Sequence, residues 1–190
     1  MRLVEFAHEI ISAVLRPGDI AIDATVGNGL DTLFLAHRVD CDGFVYGFDI
    51  QPEAIRIARC KLHQAGLENR ARLVLGSHAD LERHIANEHR PRVKAVMFNL
   101  GYLPGGNRTI RTTPKSACIA LESACSLLSG GGRITVLCYT AHPGGRTETD
   151  QIKKFVTSLS GDFRFTVHSP ENTLKAPPEL IVIERCNARD

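Results

Sequence analysis

The polar chemistry of this 190-residue chain is concentrated in a few short stretches. The first is Asp23-Ala24-Thr25-Val26-Gly27-Asn28-Gly29-Leu30-Asp31-Thr32, where an apolar run gives way to a helical pattern. Gly27 and Gly29 let the backbone approach a ligand closely, and Asn28 can take a positive φ or offer its amide. The second is Gly47-Phe48-Asp49-Ile50, which sets a carboxylate 22 residues after Gly27. From that position an acid accepts hydrogen bonds from ribose hydroxyls. Taken singly, the glycine stretch is also a tight strand-to-helix turn and Asp49 a cap before Pro52; together they read as a nucleoside site.

Charge decides which nucleoside. A dinucleotide calls for Gly-x-Gly-x-x-Gly, so that its pyrophosphate rests on a helix N-terminus. Here Thr32 takes the third glycine's place and Asp31 beside it repels phosphate. S-adenosylmethionine carries a cationic sulfonium and a zwitterionic tail, and Asp23, Thr25, Asn28 and Asp31 suit both. Gly76-Ser77-His78-Ala79-Asp80 closes the third β-rich run, where Ser77 and His78 could meet the adenine. Ser77 serves equally well as a helix N-cap.

The stretch Phe98-Asn99-Leu100-Gly101-Tyr102-Leu103-Pro104-Gly105-Gly106-Asn107 opens a loop that continues to about Thr113, longer than a simple turn needs. Asn99 falls where a methyl donor faces its acceptor, with a carbonyl that accepts a hydrogen bond without acting as a nucleophile. Tyr102 adds a stacking face and a hydroxyl. A turn-forming Asn and a core Tyr are the structural alternatives. Arg108, Arg111 and Lys115 follow with no acid among them, which suits a phosphate backbone as well as a solvated loop. In the last stretch, Cys138-Tyr139-Thr140-Ala141-His142-Pro143-Gly144-Gly145-Arg146, His142 could take a proton from an acceptor amine and Arg146 could hold a phosphate. No Cys follows the fourth strand, where covalent pyrimidine methylation would require one.

The elements that must position these residues alternate. Strands are expected at Asp19 to Thr25, Phe44 to Ile50, Arg72 to Gly76, Lys94 to Leu100 and Arg133 to Tyr139. Helices are expected at Leu30 to His37, Pro52 to Ala65, Ala79 to Glu88, Pro114 to Leu128 and Thr149 to Leu159. Leu3, Phe6, Ala7, Ile10, Ile11 and Val14 add an amphipathic N-terminal helix. Arg164 to His168 and Leu180 to Cys186 are too close in sequence for a parallel crossover and are expected to pair antiparallel.

With 43% hydrophobic and 23% charged residues, the composition is globular and fits one domain over residues 1–190. A net charge of +2 identifies no partner by itself. The absence of a long apolar run excludes a membrane span, and Glu5 and Glu9 break up any secretory signal. Cys41, Cys60, Cys118, Cys125, Cys138 and Cys186 contain no C-x-x-C pair, so they read as reduced thiols of a cytoplasmic protein rather than zinc ligands or disulfides; no metal site is expected.

Asp23-Ala24-Thr25-x-Gly27-Asn28-Gly29-x-Asp31-Thr32, Phe48-Asp49-Ile50-Gln51 and Asn99-Leu100-Gly101-Tyr102-Leu103-Pro104-Gly105-Gly106 together resemble the YtqB/MnmM family of small class I methyltransferases, also called the rRNA methylase family. The likeness extends through His142-Pro143-Gly144 and Pro177-Pro178-x-Leu180, while Leu30 stands where the family has His and Asn107 where it has Asp. The resemblance implies a Rossmann-like α/β fold with a seven-stranded, mostly parallel sheet, an antiparallel last strand and an extra N-terminal helix. It implies that Thr32 and Gln51 join the S-adenosylmethionine site. It also implies methylation of the amine of 5-aminomethyl-(2-thio)uridine at wobble position 34 in the anticodon stem-loop of tRNA. Methylation of rRNA or of a small molecule, or a non-catalytic cofactor- or RNA-binding module, is the alternative, and an oligomer is left open.

Overall fold

A computed structural model describes residues 2–101, 112–141, 143–170 and 177–187. Its seven strands are β1 (Ile20–Asp23), β2 (Phe44–Asp49), β3 (Ala71–Leu75), β4 (Val93–Leu100), β5 (Arg133–Cys138), β6 (Phe163–His168) and β7 (Glu179–Arg185). They form one sheet in the order β3-β2-β1-β4-β5-β7-β6. The pairs among the first five strands are parallel, and β7 runs antiparallel between β5 and β6. The expected antiparallel ending is therefore present. The strand order reverses between β1 and β4, so the crevice beyond their carboxyl ends is the topological switch point.

Two apolar clusters cover the two faces, because successive strand residues point to opposite sides. Ile20, Ile22, Val96, Phe98, Ile134 and Val136 pack toward α4 (Leu81–His84), α5 (Pro114–Leu127) and α6 (Gly145–Thr157). Ala21, Val45, Ala95, Met97 and Leu137 pack toward α1 (Leu3–Ser12), α2 (Leu30–Val39) and α3 (Pro52–Gln64). The extra N-terminal helix thus lies on the same face as α2, with Ala7 and Ile11 buried.

Two helices differ from the pattern expected of them. The segment Ala79 to Glu88 forms a 3-10 turn and then a single α turn, because the Arg90 guanidinium takes the carbonyls of Glu82 (2.9 Å) and Ile85 (3.5 Å) and stops the helix. α6 begins four residues earlier than Thr149, since Gly144 at φ 85° turns the chain directly into it.

Candidate active site

β1 ends in Asp23, whose Oδ1 accepts the Thr25 N–H at 3.1 Å and whose Oδ2 accepts the Thr32 hydroxyl at 2.5 Å. Both side chains are fully enclosed. They brace the turn from behind, because β1 turns Asp23 toward the first turn of α2 rather than toward the crevice. Burial and the neighbouring Asp31 carboxylate push the Asp23 carboxyl up to about 7, against the pull of its Thr32 and Thr25 hydrogen bonds.

The turn itself needs glycine. Gly27 and Gly29 have φ of 50° and 72°, and a Cβ on Gly29 would stand 2.7 Å from the Ala58 Cα of α3. Asp49, at the end of β2, ties this turn to the next: its Oδ2 accepts the Gly27 N–H and its Oδ1 the Gln51 N–H, each at 2.9 Å. Each oxygen keeps a lone pair for a further donor. Asn28 and Gln51 are half-buried alongside.

Around this cradle stand three exposed apolar side chains: Leu30 (58% exposed), Ile50 (51%) and Leu75 (57%). A planar ring laid over the ends of β2 and β3 would cover such surfaces. Ser77 acts as the cap, accepting the Ala79 N–H at 3.1 Å. His78 is buried against Phe98 and donates Nδ1–H to the Ala24 carbonyl at 3.2 Å. Burial lowers its pKa, so the imidazole is neutral. Its Nε2 is an enclosed acceptor without a hydrogen-bond partner.

Asn99 sits where β4 leaves the sheet, its backbone N–H donated to the Thr25 Oγ1 at 2.6 Å. Its Nδ2 donates to Oδ2 of Asp31, and the other oxygen of Asp31 meets His8 Nε2, from α1, at 2.6 Å. Asp31 is thus held between Asn99 and α1. Tyr139, just past β5, is partly exposed, and burial together with the Asp31 charge pushes its hydroxyl pKa up. Gly101 and Thr112 exchange hydrogen bonds (Gly101 N–H to Thr112 Oγ1 at 3.1 Å, Thr112 N–H to Gly101 O at 3.0 Å), which pins the two ends of the intervening segment together. Tyr102, Arg108 and Arg111 within that segment, and His142, lie outside the described residues. Lys115 and Arg146 are exposed in the first turns of α5 and α6. Neither His8 nor Tyr139 has a local sequence signal for a site; only the tertiary fold, with α1 packed on β5, brings them near Asp31.

This geometry can be set beside known proteins. The profile described as "Putative rRNA methylase" matches residues 45–184. The chain belongs to that family. Among solved structures, a chain described as "putative rRNA-methylase", from Clostridium thermocellum, superposes with a TM-score of 0.92 at 37% identity, over 97% of this chain and 98% of that one. A "putative methyltransferase" from Streptococcus mutans, in complex with SAH, gives 0.87 at 35% identity, over 97% and 98%. The fold is the class I methyltransferase fold. The curated "tRNA (mnm(5)s(2)U34)-methyltransferase, chloroplastic" of Arabidopsis thaliana is 38% identical over 164 residues, 83% of this chain and 60% of that protein. The chain therefore spans about 60% of the length of this curated relative.

Proposed function

We propose that the protein is an S-adenosylmethionine-dependent tRNA methyltransferase that methylates the primary amine of 5-aminomethyl-(2-thio)uridine at wobble position 34. The observation that carries this reading is the pairing of Asn99 Nδ2 with Asp31, which leaves the Asn99 carbonyl oxygen to accept an N–H beside the glycine turn. An acceptor group at that point suits an amine. Membership of the rRNA methylase family, the named activity of the Arabidopsis relative and the SAH bound to the Streptococcus chain all support it.

The donor fits the residues present. Asp49 has lone pairs left for two ribose hydroxyls, and the Gly27 to Gly29 backbone leaves no side chain in the way. Thr25, Asn28 and Asp31 lie nearest the cofactor's charged tail, while Ile50 and Leu75 flank its ring, with Ser77 and Gln51 at the edges. When bound, S-adenosylmethionine supplies an electrophilic methyl group. The residues of the chain must present a neutral amine to it in line, because a protonated amine has no lone pair with which to attack. In this reading Asn99 accepts one amine N–H, Tyr102 stacks on the uracil, and His142 receives the departing proton. Arg108, Arg111, Lys115 and Arg146 hold phosphates of the anticodon stem-loop. Residues 1–190 act as a single domain, and the free thiols among the described residues fit the reducing cytoplasm.

The test is methyl transfer from labelled donor into total tRNA of a strain lacking the enzyme, followed by nucleoside mass spectrometry. Conversion of aminomethyl- to methylaminomethyl-uridine is expected. Label appearing only in rRNA or in small metabolites, or not at all, would overturn the reading.

A further inference from the structure

α1 does more than cover the sheet. It is an addition to the sheet and its flanking helices, and its apolar face is accounted for by Ala7 and Ile11. His8 is not needed for that packing. It stands between the buried face and solvent, with its side chain 26% exposed, and it is held from two directions. Its ring lies flat on Phe34 of α2, with centroids 3.9 Å apart and planes 2° from parallel. Its Nε2 meets Asp31 Oδ1 at 2.6 Å. Stacking and hydrogen bonding together leave the imidazole one orientation.

Asp31 has both oxygens engaged, Oδ1 by His8 and Oδ2 by the Asn99 amide. A carboxylate only accepts, so the groups facing it must be N–H donors. That requirement sets two choices that geometry alone leaves open. His8 must carry its proton on Nε2, and Asn99 must turn its NH2 toward Asp31 and keep its carbonyl oxygen for another donor. Were Asp31 free to rotate, Asn99 could flip and present NH2 to an amine, where donor would face donor.

We propose that His8 is a positioning residue for methyl transfer: through Asp31 it holds the Asn99 amide in the one orientation that accepts an N–H from the acceptor amine. This rests on the function proposed above, in which Asn99 receives that amine. The orientation itself can be read without any turnover.

The experiment compares His8→Leu with His8→Gln, because Gln can place an ε-amide N–H near the position of imidazole Nε2 and Leu cannot. With asparagine-labelled 15N protein, the parental Asn99 side-chain amide is expected to show a hydrogen-bonded proton shift and slow exchange. His8→Leu should abolish both, and His8→Gln should restore them. In single-turnover methylation at saturating tRNA and donor, His8→Leu should lower the rate about 100-fold, the scale on which small misplacement of a reacting group acts. His8→Gln should recover to within about 5-fold of parental. An unchanged Asn99 signal in His8→Leu overturns the proposal, as does a parental methylation rate in that variant or a His8→Gln no better than Leu. If the parental protein methylates no tRNA while the Asn99 signal responds as stated, the proposed function fails and the positioning of Asn99 stands.

Discussion

Asp23 should make the protein less stable at pH 8 than at pH 5, opposite to the usual effect of a carboxylate. Its carboxyl is enclosed and lies near Asp31, which raises its pKa from 3.8 to about 7. A folded pKa above the unfolded one means that the native state binds the extra proton between those two values, so stability is lost as pH rises through that window. Between pH 5 and pH 8 the loss integrates to about 2–3 kcal/mol, a large share of the ~5–15 kcal/mol typical of a domain. Other groups titrate over the same range, so the comparison is with Asp23→Asn. The Asn oxygen still accepts the Thr25 N–H, and the Thr32 hydroxyl can reverse to accept from its NH2. Urea unfolding of both proteins at pH 5, 6, 7 and 8 gives the difference directly. The variant should gain about 2–3 kcal/mol on the parent from the lowest to the highest pH. A difference flat to within about 0.5 kcal/mol would refute the assignment, because a carboxylate with an unperturbed pKa contributes no slope there.

Gly29→Ala combines a left-handed backbone with a Cβ 2.7 Å from Ala58 Cα, and urea unfolding should show a loss of about 2–5 kcal/mol. Asp49→Ala frees the Gly27 and Gln51 N–H groups and removes the ribose acceptor; calorimetry with SAH should show affinity lowered by roughly 30- to 150-fold, the 2–3 kcal/mol of a charge-assisted hydrogen bond. Lys115→Gln and Arg146→Gln should each flatten the salt dependence of tRNA binding by about 0.7–0.9 in log–log slope, with SAH affinity unchanged. A slope equal to the parental one would remove that residue from the RNA contact.

The sheet was legible in the sequence because apolar runs bounded by turn residues leave little choice. All seven strands fall within about two residues of their expected limits, and Asp49 stands at the end of β2 as its distance from Gly27 implies. The helix expected over Ala79 to Glu88 was misjudged because its stop comes from the side chain of Arg90, beyond the helix itself. Within the site, residue type and spacing located the glycine turn, Asp49 and Asn99. They could not show which side of the turn a residue faces, so Asp23 and Thr32, which brace it from behind, read the same as residues on its open face. His8 was out of reach altogether, since its meaning lies in a contact with Asp31 across 23 residues of chain.

The placement of β7 bears on how the protein is made. β6 pairs with β7 and with no other described strand, and β7 fills the place beside β5, so the order in the sheet is not the order of synthesis. On the ribosome, β5 must wait with one edge unpaired while α6 and β6 emerge, and the sheet closes only when residues 179–185 arrive. The first helix waits as well, because α1 packs on both β5 and β7. A nascent chain stopped before Glu179 would hold the glycine turn, Asp49 and the Asp31 and Phe34 that meet His8, yet α1 would still lack its contact with β7, so the earliest helix is fully packed only when the latest strand has been made.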